Sequence, residues 1–166
     1  MVDVALSGLL APASLAQTTV LIPAAGRVPE GVLALSNVQS PAMIPVAGRP
    51  VIHWTLSYLR SLGLQRFVIA VAKRGGFIEE FVNAAFGGSC EVEFITPAKA
   101  GGLGQTVLDL AKRVQGTRAL VVLGDTHFQF ADPSVLAADI PTVLVGPVGE
   151  SYRWCVAESS ADGTVL

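Results

Sequence analysis

The chain has 166 residues, with 11 Lys plus Arg against 13 Asp plus Glu and a formal net charge of -2; that balance offers no concentrated basic surface and excludes a nucleic-acid-binding footprint. Hydrophobic residues make up 51% and charged residues 14%, against about 25% charged in a typical soluble domain, so the chain is core-rich and needs no disulfide or metal to hold a core. Mean hydropathy is high, at +0.57, yet no apolar run approaches the ~18 residues of a spanning helix.

Residues 1–17 end in Ala11-Pro12-Ala13-Ser14-Leu15-Ala16-Gln17, small residues like those at a secretion-signal cleavage point. Asp3 is their only charge, however, and the positive n-region is missing. They are expected to form an N-terminal extension or packed leader ahead of a domain over 18–166. Thr18 to Ala24 reads as a buried strand closed by Ala25-Gly26. After an irregular stretch to Pro50, Val51 to Leu62 places Ile52, Leu56, Leu59 and Leu62 at helical spacing, with Gly63 as a stop. Phe67 to Ala72 is a second strand. Gly76 to Ala85 is a second helix with Phe77, Ile78, Phe81 and Val82 facing inward. Glu91 to Thr96 is a third strand, Gln105 to Val114 a third helix and Ala119 to Leu123 a fourth strand. A short strand, Thr142 to Val145, follows Pro141.

This alternation, with strands that are continuously apolar, predicts an α/β fold whose sheet is covered on both faces. Ligands of such sheets bind beyond the carboxyl ends of the strands. Four segments there carry the possible chemistry. Pro23-Ala24-Ala25-Gly26-Arg27 is a small-residue turn whose backbone N–H groups can approach a phosphate, or simply a tight turn. The segment from Ser40 to His53 has three prolines and a glycine that fix a turned path into a helix. Gly101-Gly102-Leu103-Gly104-Gln105 is a glycine-rich loop opening a helix. Asp125, after the most hydrophobic strand, is placed to hold Mg²⁺ through oxygen, or to cap a turn.

Taken together and in order, these segments resemble the sugar-phosphate nucleotidyltransferase family, which includes glucose-1-phosphate uridylyl- and thymidylyltransferases. Met43-Ile44-Pro45-Val46-Ala47-Gly48-Arg49-Pro50-Val51-Ile52 resembles the family's "MLPVAGKPxI" signature. Gly102-Leu103-Gly104-Gln105-Thr106-Val107 resembles its nucleotide loop, and Val121-Val122-Leu123-Gly124-Asp125 its "VxxGD" metal strand. Tyr152 to Ala157, with Asp162 to Val165, is similar to the strand pair after the metal site. The resemblance runs from about Thr18 to the end of the chain.

It implies a three-layer αβα, Rossmann-like sheet of the glycosyltransferase-A, nucleotide-diphospho-sugar transferase type. It also implies attack of a sugar 1-phosphate on the α-phosphorus of a nucleoside triphosphate, with pyrophosphate leaving and Mg²⁺ as cofactor. The catalytic candidates are then Arg27 and Asp125, with Asp125 the metal ligand. The nucleotide-binding candidates are Ala24, Ala25, Gly26, Arg49, Gly102, Gly104 and Gln105. Two family cations are displaced: Glu30 stands where an arginine is expected, with Arg27 three positions early, and Pro41 stands where a lysine is expected. The chain ends before the half that supplies the sugar site, so a homo-oligomer or a fused C-terminal region is implied as partner, with no nucleic acid and no membrane. The alternative is a catalytically impaired nucleotide-binding regulatory or scaffold module of the same fold.

The remaining residues have plainer expectations. Cys90 and Cys155 lack metal-ligand spacing and read as free buried thiols in a reducing cytoplasm. His53 is structural or surface. His127 either meets a ligand beside Asp125 or satisfies a carbonyl, and Lys99 either contacts phosphate or is a solvated loop lysine. Trp54 and Trp154 are packing residues, and Glu79, Glu80, Asp109, Lys112 and Arg113 face solvent. A nicotinamide-binding Rossmann domain is disfavoured because no G-x-G-x-x-G follows the first strand.

Overall fold

The structure, a computed structural model, describes residues 15–28, 30–31, 38–73, 76–98, 101–138, 140–144, 149 and 160–164. Four parallel strands form its sheet: β1 (Thr18–Pro23), β4 (Arg66–Ala70), β5 (Glu91–Ile95) and β6 (Arg118–Val121), in the spatial order β5-β4-β1-β6. Between β1 and β4 the chain makes a 3₁₀ turn, Pro41–Met43, and a two-stranded hairpin of β2 (Pro45–Val46) and β3 (Arg49–Pro50). Three α-helices complete the crossovers: α1 (Val51–Ser61), α2 (Gly76–Phe86) and α3 (Gly102–Ala111). From β1 the chain first winds outward through β4 to β5, then returns through α3 to place β6 on the other side of β1. The order reverses between β1 and β6, and that switch point is where open α/β sheets bind ligands.

Burial follows from strand parity, since successive side chains point to opposite faces. Val20, Ile22, Phe67, Ile69 and Val71 meet Ile52, Leu56 and Leu59 of α1 and Ile78, Val82 and Phe86 of α2 in one cluster. Leu21, Val68 and Ala70 meet Leu110 of α3 on the opposite face. The result is the expected three-layer αβα arrangement. Leu15 also joins the first cluster and lies under Gly63, where an added Cβ would stand 3.3 Å from Leu15 Cδ1.

Several expectations need correction. The third helix begins at Gly102 and ends at Ala111, where Gln105 to Val114 was expected. Gly102 takes φ +78° at the helix entry, a conformation glycine accepts without strain, so the chain can turn in earlier than the glycine pattern indicates. Phe77, expected inward, is 67% exposed, because among the described residues α2 has no layer beyond the one its Ile78 and Val82 face. Residues 142–144 form no strand, and Val145 lies outside the described residues. β6 is an edge strand, not a strand buried on both faces: Ala119 and Val121 are exposed, because α3 packs over β1 and β4. The terminal segment 152–157 lies outside the described residues, while 160–164 forms a turn closed by the Ser160 and Gly163 amides donating to Thr164 O and Ser160 O. Cys90 is a half-buried free thiol, pushed up by burial, whereas Cys155 is outside the described residues.

Candidate functional site

The chemistry-bearing segments converge at the carboxyl ends of β1 and β6. Beyond β6 the backbone keeps running alongside the end of β1, with Val122 N donating to Leu21 O at 3.0 Å and Gly124 N donating to Pro23 O at 3.3 Å. Gly124 has no room for a Cβ against Ala24, so the backbone after β6 lies directly on the turn after β1. Asp125 follows directly on that contact in the chain. Ala24 itself is buried: its N–H donates to Ala70 O at 2.9 Å, and its carbonyl accepts from Ser40 Oγ at 3.2 Å. Half-buried Ala25, together with exposed Gly26 and Arg27, forms the open part of the turn. A Cβ built at Gly26 meets nothing within 4 Å among the described residues.

Asp125 is held on both sides. Gly124 is bonded to β1, and Thr126 O accepts from Thr55 Oγ1 of α1 at 2.7 Å. Three residues along α1, Tyr58 Oη accepts from Phe130 N at 2.8 Å. The rings of Tyr58, Phe128 and Phe130 pack at centroid separations of 5.0 to 6.1 Å. The Asp125 carboxylate remains exposed, and its one described hydrogen bond is a long one from Thr126 Oγ1, 3.4 Å.

Among the described residues no group of three or more His, Cys, Asp or Glu converges to hold a metal. A single exposed carboxylate is compatible with Mg²⁺, which usually keeps several waters and takes further ligands from phosphates. It does not fit an all-protein zinc or calcium cage. His127, two residues further along the chain, is exposed.

Arg27 and Arg49 lie in the segment between β1 and α1. The salt bridges of the described residues involve Arg66, Lys112 and Arg113, so Arg27 and Arg49 are uncommitted among them. Arg49 is carried by the β2–β3 hairpin, whose two-residue loop, Ala47-Gly48, has positive φ at both positions, 49° and 80°. This is the geometry tight hairpins prefer, and it explains the glycine. Trp54 Nε1 fastens the hairpin to α1 by donating to Val46 O at 2.9 Å. Pro41 is the first residue of the 3₁₀ turn, and Glu30 is exposed. Lys99 lies outside the described residues.

Gly102, Gly104 and Gln105 are exposed on the first turn of α3, which starts at the same carboxyl edge of the sheet. Gln105 Nε2 donates to Asp109 Oδ1 at 3.3 Å, and the Gln105 stem packs so close to Gly101 that a Cβ there would lie 2.6 Å away. Two cavities lie elsewhere. One of about 340 Å³ is at the amino end of the sheet, lined by Gln17, Arg66 and Glu91, and one of about 560 Å³ lies beside β6, lined by Leu120 and Leu136.

Sequence reasoning passed over Thr55, Tyr58 and Ser40. Thr55 carried a usable signal: it is a polar residue amid Ile52, Leu56 and Leu59 on the buried face of an amphipathic helix, and a buried hydroxyl needs a partner.

No protein-family model matches the sequence, and no curated protein matches it either. Solved structures do. HddC from Yersinia pseudotuberculosis complexed with GMP-PN is 23% identical with a TM-score of 0.54, matching 64% of this chain and 47% of its own. A putative glucose-1-phosphate thymidylyltransferase from Bacillus anthracis, in complex with a sucrose, is 24% identical with a TM-score of 0.55, matching 65% and 44%. UDP-glucose pyrophosphorylase complexed with UDP-glucose is 20% identical with a TM-score of 0.56, matching 72% and 50%. The chain therefore shares its α/β fold with these structures, and it spans about half their length. No helix among the described residues is long and apolar enough to cross a membrane.

Proposed function

We propose that this chain is a nucleotidyltransferase, or the nucleotide-binding part of one, that joins a nucleoside triphosphate to a sugar 1-phosphate and releases pyrophosphate. The observation that carries the reading is the seating of Gly124, the residue before Asp125, on Ala24 at the carboxyl end of β1, where the strand order reverses. The shared fold with proteins solved with GMP-PN and UDP-glucose supports it.

In this reading the Ala25 and Gly26 amides receive phosphate oxygens, and Gly102, Gly104 and Gln105 at the start of α3 face the base. Arg27 and Arg49 offset the triphosphate charge. A magnesium ion held by Asp125 and the substrate's own phosphates would supply further charge neutralisation. A phosphate oxygen of the sugar 1-phosphate then forms a bond to the α-phosphorus as the α–β bridging bond breaks, and the electron pair leaves with pyrophosphate. Such chemistry depends chiefly on positioning and preorganised charge. The nucleotide-binding unit would be 18–166, working in the cytoplasm, with a second copy or a fused C-terminal region supplying the sugar-binding half.

A second reading, a regulatory or scaffold module that binds nucleotide without turnover, is favoured by Pro41 and Glu30. Both stand where the family resemblance expects a cation, and one lost preorganised donor costs about 2.7–4 kcal/mol of barrier. The two readings separate in a pyrophosphate-release assay with UTP, dTTP, CTP, GTP or ATP plus glucose 1-phosphate and Mg²⁺. Release with any of them supports the enzyme. Binding of a nucleotide without release supports the module.

A further inference from the structure

We propose that Thr55 is a positioning residue for Asp125, acting through the Thr126 carbonyl; the inference rests on the magnesium-nucleotide reading of the site. Thr55 is fully buried, and its Oγ1 lies 2.7 Å from Thr126 O but 3.4 Å from its own-helix acceptor, Val51 O. A hydroxyl has one proton, so it is given to Thr126, 71 residues away in the chain, instead of to the local helix. Asp125 is therefore framed by two fixed neighbours, Gly124 on β1 and Thr126 on α1. Tyr58, on the same face of α1, holds Phe130 N and so fixes the far end of the segment.

An exposed carboxylate with one long hydrogen bond has little else to set its direction. Its orientation toward a cation comes from the backbone that carries it, and partners that orient a metal ligand typically govern about 10–100-fold in metal affinity. Thr55→Val keeps the side chain's shape and removes the donor. Thr55→Ser keeps the donor.

The test is a calorimetric titration of Thr55→Val, Thr55→Ser and Asp125→Ala, using the nucleotide of the UTP, dTTP, CTP, GTP and ATP panel that stabilises the wild-type chain most, with and without Mg²⁺. Thr55→Val should lower magnesium-dependent affinity by about tenfold or more while leaving magnesium-free affinity unchanged, and Thr55→Ser should restore it. In metal-free protein, amide hydrogen exchange over 125–130 should rise in Thr55→Val. If Asp125→Ala abolishes magnesium dependence but Thr55→Val does not alter it, the positioning role is wrong and the site reading stands. If no nucleotide binds, or Asp125→Ala changes nothing, the site reading falls and the positioning role falls with it. Should Thr55→Val fail to fold, Tyr58→Phe takes its place: loss of magnesium-dependent affinity supports the clamp, and wild-type dependence overturns it.

Discussion

Gly124 lies against Ala24 so closely that a Cβ added at Gly124 would stand 2.8 Å from the Ala24 Cβ and 3.3 Å from the Pro23 carbonyl oxygen. Two strand ends separated by a hundred residues thereby share one surface, and the smallness of both residues is what permits it. Gly124→Ala should force the turn and the Asp125 segment apart. The expected cost is about 1–3 kcal/mol, the usual range for overpacking, together with weaker nucleotide binding. Urea denaturation beside a nucleotide titration checks both; a variant with wild-type stability and wild-type binding would show that the contact is not needed.

Ala47 holds φ 49° in the hairpin loop that carries Arg49, a conformation that costs a residue with a Cβ roughly 1–2 kcal/mol. Asn tolerates this region better, and Asn-Gly is the preferred sequence for such a loop. Ala47→Asn should stabilise the chain by about 0.5–1 kcal/mol. A thermal melt should show a small rise in Tm, and a fall would mean the loop is not held in this form.

His53 is half-buried, with Nδ1 unpartnered among the described residues, and its ring packs against Trp54, Phe81 and Phe86. Burial, and secondarily the Arg49 charge, hold its pKa below the ordinary 6.5. Between the lowered folded value and 6.5 the unfolded chain binds the proton that the folded chain refuses, so stability rises with pH through this window. The contribution is complete above 6.5 and is lost as pH falls through the folded value. Urea midpoints of the wild type and of His53→Phe between pH 5 and pH 7.5 should differ in slope on the order of the effect of one titrating group; parallel curves would contradict the assignment.

Much of this architecture can be read from local pattern. The β-branched runs at Thr18–Pro23 and Phe67–Ala70, and the helical spacing of Ile52, Leu56 and Leu59, needed only periodicity to be found. Phe77 and Val121 went astray because periodicity reports an apolar face without saying whether another layer covers it, and here none does among the described residues. The start of α3 was displaced because Gly102 and Gly104 look alike in sequence. Only Gly102 needs positive φ, whereas Gly104 sits in open helix. Within the site, the small turn and Asp125 stood out as motifs, but the Thr55 to Thr126 bond joins residues 71 apart and exists only once the sheet has formed.

The central claim is that Asp125 and the β1 turn form a magnesium-dependent nucleotide site. Thermal unfolding of the wild type and Asp125→Ala in UTP, dTTP, CTP, GTP or ATP, each with and without Mg²⁺, tests it most directly. At least one nucleotide should stabilise the wild type more strongly with Mg²⁺, and Asp125→Ala should lose this increment. Absence of any nucleotide-induced shift in the wild type, or an undiminished magnesium increment in Asp125→Ala, would contradict it.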